Sequence, residues 1–289
     1  MDKDPSELWG ILNWLYPNEF TSYWAFKNAY VEMGFDKKGN WKVVGPKNVN
    51  GLARKLGRRF MRHTKEQVAP ELPQKIFVYE PLQMEGRQQK LYDDIRLSRD
   101  IEVKTDEGKL IVPNALAKLV RLQQAASDPT SLGTAYTGYG SIKLDWTREF
   151  ISDHPELSLV VFTRFVATAQ RLYSLLVADG VLTSAYYGNA AGFPQMFLDR
   201  KTNVLVATIA KGGEGLDLKF VDAAIFVDQE WSTIRMQQAY DRIHRLGITV
   251  PKMLYVLHCS TIDTLIQDAI DKKWDDAALL YEALERNIL

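Results

Sequence analysis

Short apolar runs alternate with amphipathic stretches through the second half of the chain, at 158–163, 182–186, 204–208, 223–228 and 252–258. Each is too short for a buried helix and is bounded by turn residues, so each reads as a strand covered on both faces. The stretches between them, notably 167–178 and 194–200, carry helical periodicity. Strands alternating with helices imply right-handed crossovers and a parallel sheet. Upstream, 75–79 reads as a strand entering that sheet. Residues 83–97, 116–126 and 143–151 read as helices, and 131–140, rich in Gly, Thr and Tyr, as a loop.

The first part of the chain has a different pattern. Ser6 precedes apolar Leu8, Trp9, Ile11, Leu12 and Leu15, a capped helix that Pro17 stops, and a second, aromatic-rich helix is predicted over 21–31. Glycines, a lysine pair and Pro46 make 36–50 a loop. Residues 52–65 read as a helix carrying Arg54, Lys55, Arg58, Arg59, Arg62 and Lys65 with no acid among them. That cluster suits either a solvated face or contact with phosphates of any sequence. Two acid-rich helices are predicted over 261–273 and 275–288. The expected fold class is therefore α/β, a parallel sheet flanked by helices and preceded by a mostly helical region. The expected divisions are 1–74, 75–260 and 261–289.

The densest chemistry lies in 203–247. On a continuous helix Gln238, Asp241, Arg242 and Arg245 share one face, while Ala239, Ile243 and Leu246 share a neighbouring face that packs inward. The arginines then project outward, either as a solvated face with an Asp–Arg pair or as forks for the charge of a phosphoryl group in transfer. Upstream, Lys211-Gly212-Gly213-Glu214-Gly215-Leu216-Asp217-Leu218 follows a predicted buried strand. Glycines at the carboxyl end of such a strand let backbone approach a ligand, and open α/β sheets bind their ligands at that end.

Composition narrows the field only a little. The chain has 289 residues with 36 basic and 36 acidic side chains, so a nucleic-acid surface has to be a local patch. Cys259 is the one cysteine, which excludes an internal disulfide and a cysteine-cluster zinc site. His63, His154, His244 and His258 show no ligand spacing, and no metal site is expected. There is no signal-peptide or membrane-spanning pattern, so a cytoplasmic protein, nucleoid-associated or nuclear in a eukaryote, is expected.

The order glycine turn, strand, then Gln238-Ala239-Tyr240-Asp241-Arg242-Ile243-His244-Arg245-Leu246-Gly247 resembles motifs V and VI of superfamily 2 helicase-like ATPases of the Swi/Snf type. Lys211 stands for the family's Ala, Asp217 for its usual Asn and Ile248 for its final Gln. Phe162-Thr163-Arg164-Phe165 resembles motif IV, Asp228-Gln229-Glu230-Trp231 the D-x-x-W element, Ser141-Ile142-Lys143-Leu144 an S-x-K-L entry, and Phe60–Lys65 with Leu72-Pro73 and Lys75 a basic segment, here with His63 for an arginine. The resemblance runs from about Ser6 onward. It implies a second RecA-like lobe after a helical insertion, with Arg245 as arginine finger and Arg242 as its neighbour. It further implies Gln238, Gly213, Gly215 and Asp217 at the nucleotide surface, with Gly212 shaping the turn, and Arg164, Thr208 and Lys211 on the DNA track.

The implied cofactors are ATP and Mg2+, and the implied partners are DNA and an N-terminal RecA-like lobe, upstream in a longer chain or a separate protein. The sequence has no GxxxxGK phosphate loop and no strand-borne DExH pair, both of which the family places in that first lobe. The tetrad Asp106-Glu107-Gly108-Lys109 lacks the preceding apolar strand and reads as an exposed turn. A non-enzymatic DNA-binding or regulatory module is the alternative function.

Overall fold

The computed structural model describes residues 4–35, 41–59, 65–97, 101–105, 108–112, 115–189, 194–213 and 215–272. The chain divides into two compact units, residues 1–68 with 232–234 and 268–289, and residues 69–231 with 235–267.

In the first unit, Asp4 caps a short 3-10 turn that leads into α1 (Leu8–Leu15), and Ser22 caps α2 (Tyr23–Tyr30) by accepting from the Ala25 amide. The chain then turns into an antiparallel hairpin of β1 (Val31–Phe35) and β2 (Trp41–Pro46), with Phe35 opposite Trp41. The predicted loop over 36–50 thus contains a strand and the start of α3 (Val49–Leu56). Its β-branched and aromatic residues, Trp41, Val43 and Val44, outweigh the turn signal of the glycines. Leu12, Phe20, Phe26, Tyr30, Leu52, Ala53 and Leu56 form one buried cluster.

The basic helix predicted over 52–65 breaks at Gly57, whose φ of 50° ends α3 and leads into a 3-10 turn. Arg59 pairs with Glu19 at 2.6 Å and lies over the Tyr16 ring, and Lys55 lies over Phe20. These two cations therefore fasten α3 and the 3-10 turn after it to the turn between α1 and α2. Arg62 and His63 lie outside the described residues. A single helical turn, α4 (Lys65–Val68), follows.

The second unit is built on a six-stranded sheet. It contains β3 (Lys75–Pro81), β6 (Leu159–Thr163), β7 (Thr183–Tyr186), β8 (Val204–Thr208), β9 (Ala223–Phe226) and β10 (Lys252–His258), in the order β3-β10-β9-β6-β8-β7, every pairing parallel. A small antiparallel hairpin, β4 (Ile101–Thr105) with β5 (Gly108–Val112), lies between α5 (Gly86–Leu97) and α6 (Ala115–Ser127). Asp106 and Glu107 of the expected turn lie outside the described residues. Every residue of β6, β8 and β9 is buried, which is why their sequences read as continuous apolar runs.

Both faces of the sheet are covered. Leu159, Val161, Val204, Val206, Ala223 and Ile225 pack with Leu144 and Ile151 of α7 (Ile142–Asp153) and with Ala169, Leu172 and Leu176 of α8 (Val166–Ala178). On the alternate residues, Phe162 stacks on Phe226, and Tyr240 of α11 (Thr233–Ile243) meets both Phe226 and Phe77 edge-on. The remaining helices are α9 (Pro194–Leu198), α10 (Ile209–Gly212) and α12 over 261–272, where Ile262 and Ile266 are buried. The helix expected over 275–288 lies outside the described residues. The predicted α/β class, a parallel sheet flanked by helices, is the architecture found.

Candidate functional site

Because all six strands run the same way, their carboxyl ends share one edge of the sheet. β6 is central there. The chain moves from it toward β7 and β8 on one side and toward β9 and β10 on the other, so the turns after β9, β6 and β8 lie side by side where the winding reverses. Such a reversal opens a crevice at the carboxyl ends, the usual ligand position in this class. The three turns begin at Asp228, Arg164 and Thr208, all within segments singled out above.

The glycine turn after β8 is held tightly. A methyl group on Gly212 would come within 2.6 Å of the Phe162 ring, and one on Gly213 within 2.8 Å of the Ile209 carbonyl. Gly215 has φ of 76°, a conformation that favours glycine. The Gly213 carbonyl accepts from Arg242 Nε at 2.8 Å, Leu216 O lies 3.5 Å from Arg242 Nη1, and the Leu218 amide donates to Arg242 O at 3.1 Å. The half-buried Arg242 therefore straps the turn to α11. Gln238, exposed and one helical turn before Arg242, adjoins the same spot, its Cβ 3.8 Å from where a Gly213 methyl would lie.

Arg245 is placed differently from the expectation. α11 ends at Ile243, so Arg245 leaves the helical face it was expected to share with Arg242 and sits in the turn before Gly247, whose φ is 92°. The residue is half-buried, and its guanidinium has no hydrogen bond or ion pair among the described residues. The inward face of α11 is Met236, Ala239, Tyr240 and Ile243, while Leu246, expected to pack, is 62% exposed because it too lies past the helix end. Asp241, read as a partner for an arginine, accepts from Lys75 Nζ of β3 at 3.0 Å. Asp217 is exposed and faces Lys219 Nζ at 3.6 Å, so the group at Gly213 is completed by Leu216 O and not by its carboxylate.

The expected DNA-track residues divide. Thr208 is buried at the end of β8. Lys211, half-buried on α10, donates to the Gly188 carbonyl and lies 5.7 Å from the Tyr186 ring centre. Arg164 is half-buried; its amide donates to Asp228 Oδ2 at 3.1 Å, and its guanidinium donates to Gln123 Oε1 and lies over Phe165. Gln123 is a site-forming residue that the sequence reading missed. The sequence signal was only a pair of glutamines, Gln123 and Gln124, between Leu122 and Ala125 on the predicted helix; that Gln123 is fully buried, and so needs partners for its amide, is seen only in the structure.

Behind these turns lies a buried polar network. Lys143, completely buried, donates to Asp263 Oδ1 and to the Val227 carbonyl, each at 2.9 Å. Burial alone would lower its pKa, but Asp263, Cys259 and Asp228 outweigh that and raise it, so the ammonium stays charged. Burial pushes Asp228 upward, partly offset by Lys143 and by hydrogen bonds from the Arg164 amide and the Ser127 hydroxyl. Its Oδ1 has no partner among the described residues. Cys259 is pushed up to about 12 by burial, with Lys143 opposing, so its thiol is not a nucleophile. No helix of the described residues is long and apolar enough to cross a membrane.

Two family models match the chain. The family model "SNF2-related domain" matches residues 1–131, and "Helicase conserved C-terminal domain" matches residues 142–247. The chain is 24% identical over 273 residues to "SWI/SNF chromatin-remodeling complex subunit snf22" of Schizosaccharomyces pombe, covering 84% of this chain and 16% of that one. It is 21% identical over 287 residues to "DNA annealing helicase and endonuclease ZRANB3" of Homo sapiens, covering 93% of this chain and 25% of that one. The chain thus spans a quarter or less of the length of these relatives. In fold it is similar to the C-terminal part of the Fun30 ATPase domain, with a TM-score of 0.52 and 16% identity, covering 74% of this chain and 99% of that one. The SNF2-related match and the helicase C-terminal match follow one another along the chain, and with the parallel sheet they make it similar to the Swi/Snf-type helicase-like ATPases.

Proposed function

We propose that this chain acts as the second RecA-like lobe of a DNA-dependent ATPase of the translocase kind, supplying an arginine finger and half of a DNA track. The observation that carries this reading is the contrast between two arginines at one turn. Arg242 is strapped to Gly213, whereas Arg245 beside it has its donors open among the described residues. Arg245 is then the finger. Arg242 is the strut that keeps the glycine turn against α11, and Gln238, Gly213, Gly215 and Asp217 form the nucleotide-facing rim. Arg164 and Lys211 meet the phosphates of a strand, while Thr208, its side chain buried, ends β8 beneath them.

ATP supplies the phosphoryl group in this family. The residues present fit its far side only, as cationic donors for developing negative charge. Among the described residues no group of three or more His, Cys, Asp or Glu could hold a metal ion, and magnesium in nucleotide sites is held largely by phosphate oxygens and one or two carboxylates. The phosphate loop and the acid pair are assigned to a first lobe, in the same chain or in a separate protein.

The test is reconstitution. A matching first lobe joined to this chain should give DNA-stimulated hydrolysis, and Arg245→Lys should lose about a thousandfold or more in turnover without a change in melting temperature, because lysine keeps the charge but not the planar fork. Near-full activity of Arg245→Lys would overturn the finger assignment. Reconstitution that fails while DNA binding persists would favour a non-enzymatic DNA-binding or regulatory module.

A further inference from the structure

Arg164 is held by an uncharged side chain. Its guanidinium donates to Gln123 Oε1, and Gln123 is completely buried, its own Nε2 donating to the Gln229 carbonyl at 2.7 Å. That second bond fixes which end of the amide faces the arginine. The arginine amide is fixed as well, by Asp228 Oδ2 at 3.1 Å, and Asp228 is itself held by Ser127 Oγ at 3.0 Å. The turn after β6 is thus tied at both backbone and side chain to buried groups of α6 and of the turn after β9.

We propose that Gln123 is a positioning residue that presents the Arg164 guanidinium to a nucleic-acid phosphate while leaving its charge uncompensated. This rests on the reading of Arg164 as part of the DNA track. A guanidinium carries five N–H donors, of which Gln123 takes one, so the fork remains available to a bidentate oxyanion. A carboxylate in place of the amide would orient the arginine equally well but would cancel the charge on which phosphate attraction depends. An alkyl side chain would leave the charge but release the rotamer. A buried neutral acceptor satisfies both needs, and the aromatic ring of Phe165 under the guanidinium adds orientation without an opposing charge.

The experiment measures the affinity of the 289-residue chain for two unrelated labelled duplexes across a salt series, with melting temperature as the check on folding. Arg164→Ala should reduce the slope of log affinity against log salt by about 0.9, the value for one neutralised phosphate. Gln123→Glu should give the same loss of slope with Arg164 still present. Gln123→Met should keep most of the slope but weaken binding about tenfold, the scale of one orienting hydrogen bond to a charged group. Combined with Arg164→Ala, it should add nothing further. Should Arg164→Ala lose the slope while Gln123→Glu and Gln123→Met bind as wild type, the positioning role is wrong and the track stands. Should Arg164→Ala itself bind as wild type, the track reading fails and the positioning role with it. If Gln123→Glu lowers the melting temperature by losing its donor to Gln229, the Met variant and the double variant decide the matter.

Discussion

The charge of Lys143 survives complete burial because Asp263 lies 2.9 Å away and the Val227 carbonyl accepts a second hydrogen bond from the ammonium. Removing one member of such a pair strands the other, so Lys143→Met should destabilise the fold by about 3–5 kcal/mol in denaturant unfolding, and replacing Lys143 and Asp263 together by apolar residues should recover much of it. A second buried lysine behaves in the opposite way. Lys252 is buried against the Val221 carbonyl, and burial lowers its pKa, with Asp222 opposing. The unfolded chain then holds more protons than the folded one between the lowered value and 10.5, so stability should rise with pH through that alkaline window. Lys252→Met should remove the dependence; an unchanged slope in that variant would show that another group titrates. None of this pairing was legible in the sequence. Lys143 stood out inside Ser141-Ile142-Lys143-Leu144, but its partner is 120 residues away, and only the fold brings the two together. The same holds for Asp241, whose partner Lys75 is contributed by the far edge strand.

At the scale of elements, the sequence was most informative where the periodicity was strongest. The fully buried strands β6, β8 and β9 and the helices α7 and α8 follow their apolar patterns closely, since burial on both faces leaves little room for another assignment. The misreadings occurred where one residue's backbone preference cut a pattern short. Gly57 ends α3 in the middle of the basic stretch, and α11 ends at Ile243, a few residues before Gly247, which moves Arg245 off the face that spacing alone gave it. The hairpin of β1 and β2 was hidden by the glycines and lysines of its connection. The glycine turn after β8 was legible in position but not in cause. Gly212 is there because the Phe162 ring, stacked on Phe226, occupies the space of a side chain. Gly212→Ala should therefore cost about 1–3 kcal/mol as an overpacked core position. Gly215→Ala, with open space around it but φ of 76°, should cost about 1–2 kcal/mol through backbone strain alone. Unfolding by denaturant separates the two if a compensating Phe162→Leu rescues the first variant and leaves the second unchanged.

At the scale of the whole molecule, a chain with 36 cations and 36 anions cannot attract DNA by its overall field, so the proposed function requires that any affinity come from a few placed groups, for which Arg164 and Lys211 are the candidates. Half a track neutralises few phosphates, and binding by this chain alone should be weak and steeply salt-dependent. Hydrolysis by the chain alone should be absent, because Arg245 has no phosphate loop to act upon within this sequence. The two halves of such a site meet either as separate proteins or within one chain, and the kinetics distinguish these cases. A flexible covalent joint holds the partner lobe at an effective concentration of about millimolar, whereas free lobes at micromolar levels meet far less often. Turnover per molecule in an equimolar mixture of the two lobes should thus climb with their concentration and fall when the mixture is diluted, while the joined protein should turn over at a constant rate. Arg245→Lys should lower both curves by the same factor, since it alters the chemistry and not the encounter. If the variant instead shifts the mixture's concentration dependence and leaves the joined protein untouched, Arg245 belongs to the docking surface between lobes and the finger must be sought elsewhere.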